Sequence, residues 1–180
     1  ASLYNTGGAN TAVGSLALQG VSGSNGTNNT AIGYAALYDL TTGHSNVAVG
    51  FLAGENVTTG VQNTFLGYDS GKGNTTGLNN TYIGYGAGYT EDTSQQNVVV
   101  GAQAATLMNQ GDVIGYQTIM GFQAGYYNVT GAGNTMIGHR SGFGSSGNSN
   151  SNNTFVGSQS GYSISTGNQN TFLGQGAGYN

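Results

Sequence analysis

The hydrophobic and polar positions of this chain recur with a period of about 17 residues. Ten units each open with an amide residue, continue through a β-branched and two apolar residues, and reach a glycine four places after the amide. The opening residues, called position zero, are Asn10, Asn29, Asn46, Asn63, Asn80, Asn97, Gln117, Asn134, Asn153 and Asn170. Their spacings are 17 residues in six cases and 19 or 20 in three. Such a short fixed period predicts stacked coils that complete their core only against their neighbours.

Each unit predicts two short strands and a return loop. Position one is Thr in eight units and Val in two, and β-branched residues favour strands, so positions zero to five predict the first strand. A second strand is expected at positions six to nine. The extra residues of the longer units all follow position eight, where a solenoid tolerates insertions. The prediction is an all-β parallel β-solenoid of about ten coils. It forms one array over residues 1–180, with a half coil at 1–9, nine full coils at 10–169 and a half coil at 170–180.

Three columns of the repeat are nearly invariant. Position three is aliphatic or Met and is expected to face the core, opposite a small Ala or Ser at position seven. Position four is always Gly, which predicts either a positive φ or a backbone packed too close for a Cβ atom. These structural glycines are Gly14, Gly33, Gly50, Gly67, Gly84, Gly101, Gly121, Gly138, Gly157 and Gly174.

Position two lies on the opposite side of the strand from position three, so it is expected to face outward. It is nevertheless apolar, and a continuous apolar stripe along a rod marks an interaction surface. The stripe predicts lateral self-association, since identical parallel rods meet on identical surfaces by rotational symmetry. Its larger members are Phe65, Tyr82, Val99, Ile119, Met136, Phe155 and Phe172. The alternative is that position two packs under a loop of its own chain.

The position-zero amides predict a ladder. Coils stacked at about 4.8 Å bring identical amides within hydrogen-bonding distance along the axis. Gln117 retains the amide in the unit that lacks Asn. A ladder of this kind would tie every coil to the next.

Composition and charge argue against a nucleic-acid partner and against membrane insertion. The chain has 35 Gly, no Pro, no Cys and a net charge of −4 from six acids and two bases. Lys72 and Arg140 cannot form the basic stripe that a nucleic-acid partner requires, so no nucleic acid is expected. No apolar run reaches about 18 residues, so no membrane insertion is expected. The start of the chain shows no signal-peptide pattern.

The acidic and histidine residues are not spaced as catalytic or metal-binding groups. Among the acids only Glu91 and Asp92 are adjacent, and they are interpreted as part of a solvated loop rather than a metal or acid–base pair. His44 and His139 fall at different phases of the repeat, and the Arg140 beside His139 is interpreted as a surface residue without a role. The chain is therefore predicted to be no enzyme, with no cofactor and no metal site.

Three further features are compatible with a binding role or with glycosylation. Aromatic residues recur at positions five and nine, either as stacked ladders covering a glycine-rich surface or as a flank that binds glycans. The Thr column at position one could instead present hydroxyls to ice or a crystalline polysaccharide. Candidate glycosylation sites of the Asn-x-Thr type are Asn25, Asn28, Asn56, Asn74, Asn79, Asn128 and Asn152.

The repeat resembles known fibre proteins. Segment 29–37 (NTAIGYAAL), with 41–43 (TTG), resembles repeats of tail-fibre-type proteins of phages and bacterial surface fibres. Segment 46–50 (NVAVG) is similar to the head repeat of trimeric autotransporter adhesins, whose repeat is shorter. The resemblance covers essentially the whole chain and implies a left-handed parallel β-roll assembled as a homotrimer.

These observations predict a structural fibre or filament shaft, located outside the cell, on the cell surface or in a virion. Its main partner is expected to be the chain itself, with a host-surface glycan or protein as a further candidate and an adhesive role as a second expectation. The two half coils also suggest head-to-tail continuation, either within a longer polypeptide or between subunits. The alternative is a module that binds glycans or ice through the Tyr or Thr ladders.

Overall fold

The chain forms a single parallel β-sheet wound into a solenoid. This computed structural model describes residues 4–90, 93–109, 115–147 and 149–179. Ten strands of three residues each pair in sequence order, so each inner strand lies between the preceding and the following one. They are Thr11–Val13 (β1), Thr30–Ile32 (β2), Val47–Val49 (β3), Thr64–Leu66 (β4), Thr81–Ile83 (β5), Val98–Val100 (β6), Thr118–Met120 (β7), Thr135–Ile137 (β8), Thr154–Val156 (β9) and Thr171–Leu173 (β10). The all-β solenoid predicted from the repeat is therefore confirmed.

The register keeps every repeat position in a column. Thr64 of β4 pairs with Thr81 of β5, and Phe65 pairs with Tyr82, so position one meets position one and position two meets position two. The same correspondence holds at all nine junctions, including the one where 20 residues separate the units. Insertions are therefore absorbed outside the strands, because a slip of one residue would turn every side chain to the other face.

The position-four glycine ends each strand for two physical reasons. Gly84 has a φ of 128°, which side-chain-bearing residues rarely adopt. A Cβ atom there would lie 2.6 Å from the carbonyl oxygen of Gly101 in the next coil. The other glycines of the column share the positive φ. Strained dihedral and close backbone approach therefore act together at this position.

The assignment of the two strand faces is wrong. Position two lies in the core: Phe65, Tyr82 and Phe155 have no exposed surface. Position three lies outside, where Leu66 is 45% exposed and Val13 is 56% exposed. The proposed self-association stripe is thereby corrected: Phe65, Tyr82, Val99, Ile119, Met136 and Phe155 are fully buried, and Phe172 is partly buried against the same core. The alternative, in which position two packs within its own chain, is the correct one.

Position eight explains why position two fits inside. Where position two is large, position eight is Gly or Ala, and a Cβ atom on Gly71 would lie 2.1 Å from the Phe65 ring. Where position two is only Ala31, position eight is the buried Leu37. The two positions therefore share core volume, which in the Ala48 coil is filled from the neighbouring coils because Gly54 is small as well. Position seven is also buried, and its serines donate to carbonyls of the next coil, as Ser70 Oγ does to Tyr82 O at 2.8 Å.

The predicted second strand is replaced by a series of tight turns. Ala35 at position six and Leu37 at position eight have φ values of 51° and 50°, and most coils repeat this alternation of left-handed residues. The turns still bond to neighbouring coils, since Leu37 N–H donates to Ala53 O at 3.1 Å. This path is no β-strand, because left-handed residues turn the chain at every second position.

The return loops also stack coil on coil. Thr41 donates both its backbone N–H and its Oγ1 hydroxyl to Thr58 O, and Thr58 repeats this with Thr75 O. Short parallel bridges join His44, Val61 and Leu78 in three successive coils. The predicted insertion of the sixth unit lies largely outside the described residues, as do Glu91, Asp92 and Asp112.

Candidate interaction surface

The outer sheet face is formed by positions one, three and five of each coil, which point away from the core. Position one contributes Thr or Val, position three an aliphatic or Met side chain, and position five mainly aromatic residues. Val47, Leu66 and Phe51 are 40%, 45% and 40% exposed at these three positions. None of the thirty residues at these positions is Asp, Glu, Lys or Arg. The face is therefore a flat, uncharged surface with an aliphatic column at its centre.

Position five carries a ladder of stacked rings along this face. Tyr34, Phe51, Tyr68 and Tyr85 follow one another at centroid distances of 5.2, 4.9 and 5.5 Å. The ladder stops after Tyr85, since the next coil has Ala102 at position five. It resumes in a shorter form with Phe122 and His139, whose rings stack at 5.8 Å.

Position nine carries a second ladder, near the other end of the rod. Tyr126, Phe143, Tyr162 and Tyr179 stack at 5.6, 5.1 and 5.0 Å. In both ladders, rings at the coil spacing cover one another. This agrees with the interpretation of the aromatic columns as stacked ladders that cover a glycine-rich surface. The exposed ring faces at the ends of each ladder are what remains for a ligand.

The position-zero amides lie in the core and bond both along and across the rod. Asn63 N–H donates to Asn46 Oδ1 at 3.0 Å, and Asn63 Nδ2 donates to Gly77 O of its own return loop at 2.7 Å. Asn63 Oδ1 in turn accepts the N–H of Asn80 at 3.0 Å. Gln117 keeps the pattern, with its N–H on Asn97 Oδ1, its Nε2 on Gly131 O and its Oε1 accepting from Asn134. This column is a structural clamp, not a surface site.

The candidate glycosylation sites divide by burial. Asn25, Asn28, Asn79 and Asn152 are exposed, and Asn56 is half-buried. Asn74 and Asn128 have no exposed surface and face the core from position eleven. These two predicted sites are wrong, because a buried amide cannot carry a glycan in the folded coil.

Charged side chains gather at one place on the rod. Lys72 Nζ lies 3.3 Å from Glu55 Oε2 and 3.6 Å from Asp69 Oδ1, and it sits 5.9 Å from the centroid of the Tyr89 ring. Burial raises the pKa of Asp69 above its ordinary value, against the lowering effect of Lys72. Partial burial lowers the pKa of Lys72, but the carboxylates of Asp69 and Glu55 outweigh this and the net pKa is raised. Burial and then Glu55 raise the pKa of nearby Asp39.

Arg140 has partners that the sequence did not suggest. Its Nε donates to Gln123 Oε1 at 2.8 Å, and Gln123 Nε2 donates to Gln103 Oε1 at 2.9 Å. All three residues occupy position six, so they form a polar ladder on the turn side of the rod. The guanidinium also lies 5.3 Å from the centroid of the Phe143 ring. The interpretation of Arg140 as a residue without a role is therefore corrected.

A cavity of about 220 Å³ lies next to Gln103, at the end of this ladder. It is lined by Asp69, Tyr85, Gly86, Tyr89, Gln103 and Thr106, which belong to three successive coils. Gly86 is the position-six residue between Asp69 and Gln103, and a Cβ atom on it would meet nothing within 4 Å. The missing side chain thus opens the cavity. The sequence gives no signal for this cavity, because Gly86 resembles the other glycines of the repeat.

Two kinds of feature are absent from the described part of the chain: a cluster of potential metal ligands and a membrane-spanning helix. Within residues 4–90, 93–109, 115–147 and 149–179, no three His, Asp or Glu side chains are placed to share a metal ion. The same residues include no helix of the length and apolarity needed to cross a membrane.

Comparisons with known proteins give no relative. No protein-family model matches the chain, and neither a curated protein nor a solved structure is similar to it.

Proposed function

We propose that this chain is a structural rod that self-associates through its outer sheet face and serves as the shaft of an extracellular, cell-surface or virion fibre. The observation that supports this proposal is the uncharged, apolar column of position three, which is exposed or half-buried along the described length of the sheet. An exposed apolar surface of this extent is typical of an interface rather than of a free monomer. An adhesive role and end-to-end stacking of coils belong to the same proposal.

The dimensions of the face agree with an interface between copies of the chain. Ten coils at about 4.8 Å give a length of about 48 Å, and the four steps from position one to position five span about 13 Å. The resulting area is roughly 600 Å² per copy, so two faces bury about 1,200 Å², the lower end for specific interfaces. Interface cores are depleted of charge, as this face is. The partner that we propose is a second and third copy of the chain in a parallel homotrimer, the assembly that the resemblance to fibre repeats implies.

Light scattering after size-exclusion chromatography tests the proposal. The wild-type chain should elute at three times its 18.1 kDa mass. The paired substitution Leu66→Asp and Ile83→Asp should reduce this to the mass of one chain, because it buries two charges in the interface. Circular dichroism should keep its β signal, since both side chains lie outside the core. Gln62→Asp, an exposed position off the face, is the matched control and should leave the mass unchanged.

A wild-type chain that remains at 18.1 kDa at all concentrations would contradict self-association. In that case the free face supports a second candidate function, the binding of ice or a crystalline polysaccharide. The observation in its favour is that the Thr column of position one lies on the same flat face as the aliphatic column. Inhibition of ice recrystallisation by wild type, lost on Thr64→Asp with Thr81→Asp, would identify that function.

A further inference from the structure

We propose that the cavity at Gly86 is a binding site for one ring of a neutral hexose oligosaccharide. The proposal does not require self-association, although Tyr85 at position five also belongs to the outer sheet face, and sugar binding and the mass of the assembly are measured separately. It differs from a general stickiness of the aromatic ladders, because it depends on a break in the repeat. Three features converge there: a free aromatic face, a missing side chain and a set of polar groups.

The free aromatic face belongs to Tyr85. Tyr85 is 54% exposed, and its ring meets the Tyr68 ring on one side only, at 5.5 Å and a tilt of 30°, since Ala102 holds position five in the next coil. The π face of a ring is negative and attracts the weakly positive C–H groups of a partner. The apolar face of a hexopyranose presents a row of such C–H groups. Tyr85 therefore offers a stacking platform that the ladder has not already covered.

The missing side chain makes room beside this platform. Position six carries Asp69 in the preceding coil and Gln103 in the following one, but Gly86 in between. Ligand sites for drug-sized molecules occupy about 300–1,000 Å³. The cavity of about 220 Å³ is smaller and open to solvent. It therefore suits a single sugar ring whose neighbours in an oligosaccharide extend along the surface.

The polar groups around the cavity match sugar hydroxyls, which both donate and accept. Gln103 Oε1 is occupied by Gln123 Nε2, so the Gln103 amino group is the part that can donate to a ligand. Thr106 Oγ1 donates to Gln103 O at 2.8 Å, which leaves its lone pairs to accept. Asp69 adds a carboxylate whose Oδ1 lies 3.6 Å from Lys72 Nζ, and Tyr89 is a further lining residue. Donors and acceptors thus stand on both sides of the aromatic platform.

The charge of the site selects a neutral sugar. Asp69 and Glu55 outnumber the single cation Lys72, and Asp39 adds a third carboxylate nearby. A uronic acid or another anionic sugar would meet like charges in the cavity. Neutral hexoses carry no such penalty. Selection against anionic sugars is therefore part of the proposal.

Saturation-transfer NMR tests the site with defined probes. The full chain is mixed in turn with cellotetraose, maltotetraose, mannotetraose, lactose and tetragalacturonate. At least one neutral probe should receive saturation at the C–H protons of one ring face, whereas tetragalacturonate should not. Gly86→Gln should weaken that binding at least tenfold by filling the cavity. The fold tolerates this residue, because Gln103 and Gln123 occupy the same position with φ values of 55° and 54°.

Tyr85→Ala should cause the same loss, and it copies Ala102 of the next coil. The matched control is Tyr34→Ala, which removes a ring of similar exposure, 46%, at the other end of the same ladder, beside Ala35 instead of a glycine. It should leave binding unchanged. Absence of saturation with every neutral probe would overturn the proposal. So would binding that survives Gly86→Gln or disappears with Tyr34→Ala, since either result would locate the sugar elsewhere.

Discussion

At the residue scale, the position-zero amide shows why one residue type recurs. The Asn63 side chain donates to the return loop of its own coil and accepts the backbone N–H of the next coil. Asp would lack the donor, and an aliphatic residue would lack both groups. Only an amide closes the coil and connects it to its neighbour at the same time.

Asn63→Ala should lower the unfolding free energy by at least about 2 kcal/mol. The substitution leaves the buried Gly77 carbonyl and Asn80 N–H without their partners, which is costlier than losing a hydrogen bond that water can replace. Urea denaturation followed by circular dichroism measures the change. Thr59→Ala, at an exposed loop position, is the control and should stay within about 0.5 kcal/mol. Equal effects of the two variants would refute the clamp.

At the element scale, the coil is defined by the pairing of positions two and eight. Phe65 fills the space that Gly71 leaves, while the Ala31 coil fills it with Leu37. This pairing decides which face of the strand is inside. It acts within a coil, although Phe65 also lies close to Gly54 of the preceding coil.

A double-mutant cycle measures this pairing. Phe65→Ala should cost about 3–5 kcal/mol through the cavity it creates, and Gly71→Leu alone should also destabilise by overpacking. Together they install the combination already present at Ala31 and Leu37, where Leu37 adopts a φ of 50°. The double variant should be more stable than the sum of single effects predicts by more than about 1 kcal/mol. Strict additivity would show that the two positions do not share a volume.

Sequence reasoning reached the period, the first strand and the glycine column because each rests on a residue type that has one physical use. It misassigned the two strand faces, since alternation shows that Phe65 and Leu66 lie on opposite sides but not which side is inner. The inverse sizes of positions two and eight would have decided the matter. The left-handed turns left no comparable signal, because position six holds residues as different as Leu52, Gln103 and Arg140.

The candidate site at Gly86 was also only partly predictable from the sequence. The aromatic columns were visible in the sequence, and so was the possibility of a glycan-binding flank. The cavity depends on three residues that are distant in sequence, Asp69, Gly86 and Gln103. The coil register brings these three residues together. The register identifies a cavity only once the structure shows that position six points outward.

At the scale of the whole molecule, two of the few charged side chains determine the direction in which stability changes with pH. The pKa values of Asp39 and Asp69 are raised in the folded rod, first by burial. The folded state therefore binds more protons than the unfolded state between the ordinary pKa, 3.8, and the raised value. The depressed carboxyl pKa values that underlie ordinary acid denaturation are absent at these two residues.

The unfolding free energy should consequently rise slightly as the pH falls from neutral through the raised pKa values of Asp39 and Asp69. Below 3.8 their contribution should become constant, because both states are then protonated. Urea denaturation at a series of pH values measures the slope. Asp39→Asn combined with Asp69→Asn should flatten it. A slope of the opposite sign in the wild type would contradict the assignment.

The core pairing of positions two and eight has a consequence for how such a molecule can change over generations. Because every unit repeats the same column register, a gene duplication or deletion of one whole unit keeps each position in its column where the neighbouring core residues are of compatible size. Rod length can then vary in steps of about 4.8 Å while the fold persists. A change of one codon at position two, four or eight has no such freedom.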